Sequence, residues 1–163
     1  MDKDYLAVAQ KALEAIKEGA FLTVATADAL NTMTIGWATI GYVWRSPVLT
    51  VAIRDSRHTF TLIEKADDFT VTIPGTDMRK EIMFCGTRSG RDVNKFATCN
   101  LATAPGRKVK SPIVDVPGLH FECRTVFKAA MDPANLAADY HHLYPEKDYH
   151  TLYYGEIKAC YET

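Results

Sequence analysis

The stretch NTMTIGWATIGYVW, residues 31–44, decides the fold. Apolar residues alternate with polar or small ones along it, and β-branched and aromatic residues are frequent, so the pattern predicts a β-strand. Gly36 and Gly41 interrupt this pattern. Glycine inside a strand indicates a bend, a bulge or a backbone that a ligand approaches closely. A bend with Trp37 and Trp44 in the core, and a flat ring lying against this backbone, fit the pattern equally well.

The alternation continues on both sides of this stretch. Strands are predicted over residues 21–26, 33–44, 48–54, 68–74, 119–127 and 151–162, with a short strand near Val109 to Val114. Helices are predicted over residues 3–18, 57–65, 78–84 and 92–96. About six strands that are joined mostly locally predict a mainly β protein, a small closed or nearly closed β-barrel with flanking helices. We expect residues 1–163 to form this barrel as a single domain.

The composition excludes several classes of protein. Hydrophobic residues make up 47% and charged residues 24% of the chain, a balance typical of a folded protein. The net charge of −1 argues against binding to nucleic acid or to an anionic membrane. The first residues lack the apolar block of a signal peptide, and no later segment is apolar enough to span a bilayer. The four cysteines contain no C-x-x-C pair, so we expect free thiols in a reducing cytoplasm.

The middle of the chain is basic, with eleven Lys and Arg against seven Asp and Glu over residues 54–110. Near its start, Arg54, Ser56, Arg57 and Thr59 lie where a predicted strand gives way to a predicted helix. Guanidinium and hydroxyl groups at a helix N-terminus are suited to binding a phosphate. In the alternative interpretation, Ser56 caps the helix and the arginines lie on the surface.

A second polar turn, residues 87–92, carries Arg88, Ser89, Gly90 and Arg91. Its backbone and arginines are suited to a second anionic or polyhydroxyl group, and an ordinary loop in which Asp92 caps a helix fits as well. Neither turn has the glycine pattern of a P-loop or of a Rossmann dinucleotide site. The five histidines have no metal-ligand spacing, so no metal site is predicted.

Taken together, four segments resemble the flavin reductase-like family of FMN-binding split barrels, and most of all its flavoredoxin type. The segments are NTMTIGWATIGYVW, RDSRHTF, CGTRSGRDVNKF and DYHTLYYGEI. The resemblance extends from about Phe21 to Tyr161. It implies a six-stranded split barrel that forms a homodimer and binds FMN, which NADH or NADPH reduces.

The resemblance also implies which residues bind the flavin. The strand beside the isoalloxazine ring corresponds to Thr34, Ile35, Gly36, Trp37, Ala38 and Thr39. The phosphate-binding turn corresponds to Arg54, Ser56, Arg57 and Thr59, and a further flavin loop to Ser89, Gly90 and Arg91. His150 resembles the histidine of the family's Gly-Asp-His motif on the nicotinamide side, although here the sequence reads Lys147-Asp148-Tyr149-His150. His58 also departs from the family pattern.

Three functions are consistent with this resemblance. The first is an NAD(P)H-dependent flavin reductase-like oxidoreductase that passes electrons through FMN to an acceptor, with His150 as a proton source or a hydrogen bonder. The second is a non-enzymatic FMN electron carrier that a redox protein partner reduces. The third is a barrel that has lost flavin binding and serves as an interaction module. Neither nucleic acid nor membrane is expected as a partner.

Overall fold

The computed structural model describes residues 5–163, and within them the chain forms nine strands and four α-helices. The strands are β1 (Ala20–Ala25), β2 (Leu30–Ile35), β3 (Ala38–Val43), β4 (Ser46–Arg54), β5 (Asp68–Pro74), β6 (Thr103–Ala104), β7 (Ile113–Val114), β8 (Gly118–Ala130) and β9 (His150–Glu162). The helices are α1 (Tyr5–Ala15), α2 (His58–Ile63), α3 (Arg79–Thr87) and α4 (Lys95–Thr98), and short 3-10 turns cover Ile16–Glu18, Pro133–Asn135 and Ala138–Leu143.

The main sheet is antiparallel, with seven strands in the order β2-β1-β5-β8-β9-β4-β3. Its edge strands β2 and β3 are joined by Gly36 and Trp37 alone. A flat sheet of this size would hold its edges roughly 29 Å apart, whereas such a short link spans only about 10 Å. The sheet therefore curls until its edges meet, which confirms the predicted mainly β barrel.

The prediction of one strand over residues 33–44 is wrong, because the chain changes partners in the middle of it. Thr34 pairs with Phe21 of β1, while Thr39 pairs with Thr50 of β4. At the junction the Trp37 carbonyl accepts a hydrogen bond from the Ala52 backbone amide (3.3 Å). Gly36 thus lies where the chain changes partners, and Trp37 and Trp44 are exposed and not in the core as the bend interpretation expected.

The barrel core is built from the alternating apolar residues of the strands and from one face of α1. Residues whose side chains fill it include Leu22, Val24, Leu49, Val51, Ile53, Phe69, Val71 and Phe121, with Val8 and Ala12 of α1 packed against them. The predicted helix over residues 3–18 begins outside the described residues. Within them it continues as α1 and ends in a 3-10 turn before Gly19, whose φ of 106° suits a glycine.

The short elements differ from prediction in length. In the predicted strand near Val109 to Val114, only β7 forms, because the amides of Lys110 and Ser111 bind the Asp68 carboxylate (both 2.9 Å) instead of a neighbouring strand. The predicted helices become α2, α3 and α4, with α4 beginning three residues late. Within residues 5–163 none of the helices has the length and apolar character needed to cross a membrane.

Candidate functional site

Two adjoining cavities form a groove along the outside of the barrel where its edges meet. The first, of about 160 Å³, lies at the β2–β3 junction, and the second, of about 360 Å³, lies between the start of α2 and the loop after α3. Both cavities are lined by Met33, Arg54 and Arg57, so they adjoin at these three residues, and together they are called the groove below.

The groove brings together most of the residues predicted from the sequence. The first cavity is lined by Thr34, Ile35, Gly36, Trp37, Arg54, Arg57 and His150. The second is lined by Arg54, Ser56, Arg57, Thr59, Ser89, Gly90 and Arg91. Ala38 and Thr39 lie on β3 beyond this lining: Ala38 packs against the barrel core, and Thr39 is exposed.

The first cavity has an aromatic wall, formed by Trp37 and His150, whose ring planes are inclined by 41°. The Trp37 ring, 46% exposed, packs against His150 with ring centroids 4.9 Å apart and against Tyr144 at 6.2 Å. The space beside Gly36 is open. A Cβ built on Gly36 would have only the Ile16 carbonyl oxygen within 4 Å, at 3.9 Å. Nothing in the chain itself therefore requires glycine here, and the space is suited to a planar ring lying against the backbone.

The second cavity is lined with cationic groups that the chain holds in place. The Arg54 guanidinium donates to the carbonyls of Asp148 (3.0 Å) and Leu143 (3.4 Å). Arg91 donates to the Ser56 carbonyl (3.2 Å), which joins the loop after α3 to the turn before α2. Guanidinium groups fixed in this way lose little conformational freedom when they bind a phosphate.

Both alternative capping interpretations are wrong. The residue that caps α2 is Arg57, with no side-chain hydrogen bond, and the Ser56 hydroxyl instead donates to the Asp148 carboxylate (2.6 Å). The cap of α4 is Asn94, whose side chain accepts from the Ala97 amide (3.1 Å), not Asp92. Ser56 is thus a cavity residue whose hydroxyl proton is donated to Asp148, so the hydroxyl must turn away from Asp148 in order to donate to a ligand.

The sequence analysis missed several residues of the second cavity, including Asn31, Lys95 and Asp148. The Lys95 side chain is 3% exposed, and its ammonium donates to the carbonyls of Thr32 (2.9 Å) and Cys85 (2.8 Å). Burial lowers the pKa of Lys95. A lysine at the start of a short helix is ordinarily a surface residue, so the sequence contains no signal for this burial.

His150 lies at the start of β9 and closes the aromatic wall. Its Nδ1 is 2.8 Å from the Tyr144 hydroxyl, which also contacts the sulfur of Met131 (3.3 Å). Burial, and to a lesser extent the positive charge of Arg54, lower the pKa of His150 to about 4. The imidazole is therefore neutral at neutral pH, where it is a hydrogen bonder and not an acid that releases a proton.

This pKa predicts that the protein loses stability in mild acid. In the unfolded chain His150 binds a proton near pH 6.5, whereas the folded chain resists protonation until about pH 4. The unfolded state binds more protons between these values, so the free energy of unfolding falls as the pH falls through this window. Burial also lowers the pKa values of His58 and His120, which act in the same direction.

Urea unfolding at a series of pH values between about 7 and 4.5 measures this effect. We expect His150→Gln to lose less stability than the wild type over this range, because the glutamine does not titrate. His142→Gln, at an exposed position, is the matched control and should follow the wild type. Equal pH dependence in His150→Gln and the wild type would contradict the assigned pKa.

Comparison with known structures defines the class of this fold. Flavoredoxin from Methanosarcina acetivorans superposes with a TM-score of 0.71 and 25% identity, over 89% of this chain and 68% of that one. An FMN-binding protein from Thermus thermophilus gives a TM-score of 0.68 at 22% identity, over 88% of this chain and 69% of that one. The fold is thus the split barrel of flavin reductase-like, FMN-binding proteins.

The sequence comparisons identify the family. A model of the flavin reductase like domain matches residues 16–163. An uncharacterized protein of Archaeoglobus fulgidus is 30% identical over 137 residues, which cover 84% of this chain and 68% of the relative. The chain belongs to the flavin reductase-like family. It spans about two thirds of the length of the relatives it matches.

Proposed function

We propose that the chain binds FMN along the groove, with the isoalloxazine ring in the first cavity and the phosphate in the second. The observation that carries this proposal is that the two cavities adjoin, with Arg54 and Arg57 in the lining of both. One end has an aromatic wall and an open space beside Gly36, and the other has guanidinium, ammonium and hydroxyl groups. FMN carries matching groups in the same order, because its planar isoalloxazine ring is joined to its phosphate by a polar chain.

The residues of the groove have separate tasks in this proposal. Thr34, Ile35, Gly36 and Trp37 offer backbone and ring surface to the isoalloxazine. Arg54, Arg57 and the hydroxyls of Ser56 and Thr59 hold the phosphate, and the loop of Ser89, Gly90 and Arg91 closes over it. Asn31 donates to the Thr59 hydroxyl oxygen (2.9 Å), which occupies a lone pair of that oxygen and leaves the hydroxyl proton to be donated to the phosphate.

Bound FMN would accept a hydride from NADH or NADPH and pass the electrons to an acceptor. The chain's own residues then need only to stack, orient and shield the two rings. Trp37 and the neutral His150–Tyr144 pair form the apolar wall on which a nicotinamide would lie. The Streptomyces globisporus NADH:FAD oxidoreductase, which has this fold, supports the reductase activity.

We further propose that the protein works as a homodimer. An exposed apolar patch surrounds the β3–β4 turn, where Trp44, 58% exposed, stacks edge-on against Phe127 and Tyr154. Tyr42 and Val43 extend the patch along β3. Exposed patches of this kind favour contact with another protein chain.

A carrier without a nicotinamide site is the second candidate, and the similarity to a flavoredoxin supports it. Anaerobic titration of the FMN-loaded protein with NADH and with NADPH distinguishes the two functions. Bleaching of the flavin bands by one nucleotide within seconds is the result that the reductase predicts. Retained bands that bleach with neither nucleotide, but do bleach with dithionite, would contradict the reductase and favour the carrier.

A further inference from the structure

His58 is the residue of the second cavity that the family pattern does not explain. It is the first residue of α2, and its ring faces the loop after α3. A Cβ built on Gly90 would come within 2.8 Å of the His58 Cδ2, so the ring and this loop are in close contact. The ring therefore forms part of the cavity wall.

The Nδ1 atom of His58 is buried and has no hydrogen-bond partner among residues 5–163. A buried polar atom without a partner is rare and costs free energy, so this imidazole has unused hydrogen-bonding capacity at the wall of the cavity that it lines. Burial, followed by the charges of Arg91 and Lys95, lowers the pKa of His58. These surroundings disfavour the protonated His58 imidazole until an anion binds in the cavity.

The charged and polar groups that line the same cavity as this imidazole come from several elements. They are Ser56 and Arg57 before α2, Arg88 and Arg91 in the loop, Lys95 in α4, Asn31 in β2, and Arg54 with Asp148 across the cavity. Asp148 is the one carboxylate in this lining, and it accepts the Ser56 hydroxyl. The net charge facing His58 is therefore positive.

We infer that His58 is a phosphate ligand that takes up a proton when FMN binds, so that the chain selects phosphorylated flavin over riboflavin in a pH-dependent way. This inference rests on the proposed function. A phosphate dianion beside the imidazole raises its pKa toward or above neutrality, whereas riboflavin brings no charge. Between the free and the bound pKa, FMN affinity rises as the pH falls, by at most about tenfold per pH unit for one proton.

Equilibrium fluorescence titrations with FMN and with riboflavin, between about pH 8 and pH 6.5, test the inference. This range lies above the phosphate's own second pKa of about 6. We expect FMN affinity of the wild type to rise about fivefold across the range, and riboflavin affinity to change less than about twofold. In His58→Gln the FMN affinity should be flat, and in His58→Phe it should be about tenfold weaker at the lower pH.

Two controls keep the outcomes separate. His142→Gln, at an exposed histidine outside the groove, should reproduce the wild-type pH dependence. NMR titration of the His58 imidazole should show a higher pKa with FMN than with riboflavin. An unchanged pH dependence in His58→Gln would assign the proton to another group such as Lys95 and overturn the inference, whereas a wild type that does not bind FMN would overturn the proposed function itself.

Discussion

Replacing Arg54 and Arg57 together with alanine is expected to weaken FMN binding by at least about a hundredfold. Each guanidinium lines both cavities, and each would make a charge-assisted hydrogen bond to the phosphate. Riboflavin has no phosphate, so its affinity should fall much less. Equilibrium titration of the variant with both flavins measures the difference.

Arg79→Ala is the matched control for this loss of charge. Arg79 pairs with Asp77 in an exposed turn outside the groove (2.7 Å), so its removal should leave both affinities unchanged. Because Arg54 also holds the carbonyls of Asp148 and Leu143, the single variant Arg57→Ala and a circular dichroism spectrum test whether the fold is intact. A folded double variant with wild-type FMN affinity would place the phosphate outside the second cavity.

The second large effect is expected in stability. Glu122 on β8 is fully buried, and its carboxylate accepts the amides of Arg107 (2.8 Å) and Lys108 (2.6 Å) and the hydroxyl of Tyr161 (2.7 Å). The Arg107 guanidinium lies 3.5 Å from the centre of the Tyr161 ring. This carboxylate therefore holds the first part of the loop that covers β8, as Asp68 holds its later part at Lys110 and Ser111.

Glu122→Ala should lower the free energy of unfolding by about 3 kcal/mol, because it leaves the buried Tyr161 hydroxyl and two partly buried amides without an acceptor. Urea unfolding measures the change. Glu146→Ala removes an exposed carboxylate and should change stability by less than about 0.5 kcal/mol. A loss below about 1 kcal/mol in Glu122→Ala would mean that water replaces the carboxylate and that the loop is held by other contacts.

The same residue illustrates what the sequence predicts and what it does not. The alternation in residues 119–127 places Phe121 on one face and Glu122 on the other, which is correct. It does not show that both faces are buried up to Cys123, because the loop that covers the second face comes from residues 105–117. Alternation reports the direction of side chains, whereas burial depends on distant parts of the chain.

The break in residues 33–44 could not be predicted for a related reason. Both halves alternate with a period of two, and only their partners differ, β1 for one half and β4 for the other. Gly36 was the available signal, but a glycine in a strand is consistent with a bend, a bulge or a closely approaching ligand. The fold class followed from the alternation, but the closure of the barrel depends on pairing between segments distant in sequence.

The residues of the candidate site, too, were predictable from the sequence only in part. Arg54 and Arg57 were recognised because guanidinium and hydroxyl groups in one turn are suited to an anion. Lys95 and Asp148 were not assigned to the site, since a lysine and an aspartate in polar segments are ordinarily solvated. Their positions are set by tertiary contacts with Thr32, Cys85 and Ser56.

Equilibrium dialysis of the wild-type protein against FMN and against riboflavin tests whether the groove holds one FMN per chain. We predict saturable binding of one FMN per chain, with riboflavin bound at least about tenfold more weakly because it lacks the phosphate. Absence of saturable FMN binding by the folded protein, or equal affinity for the two flavins, would contradict the assignment of the second cavity to the phosphate.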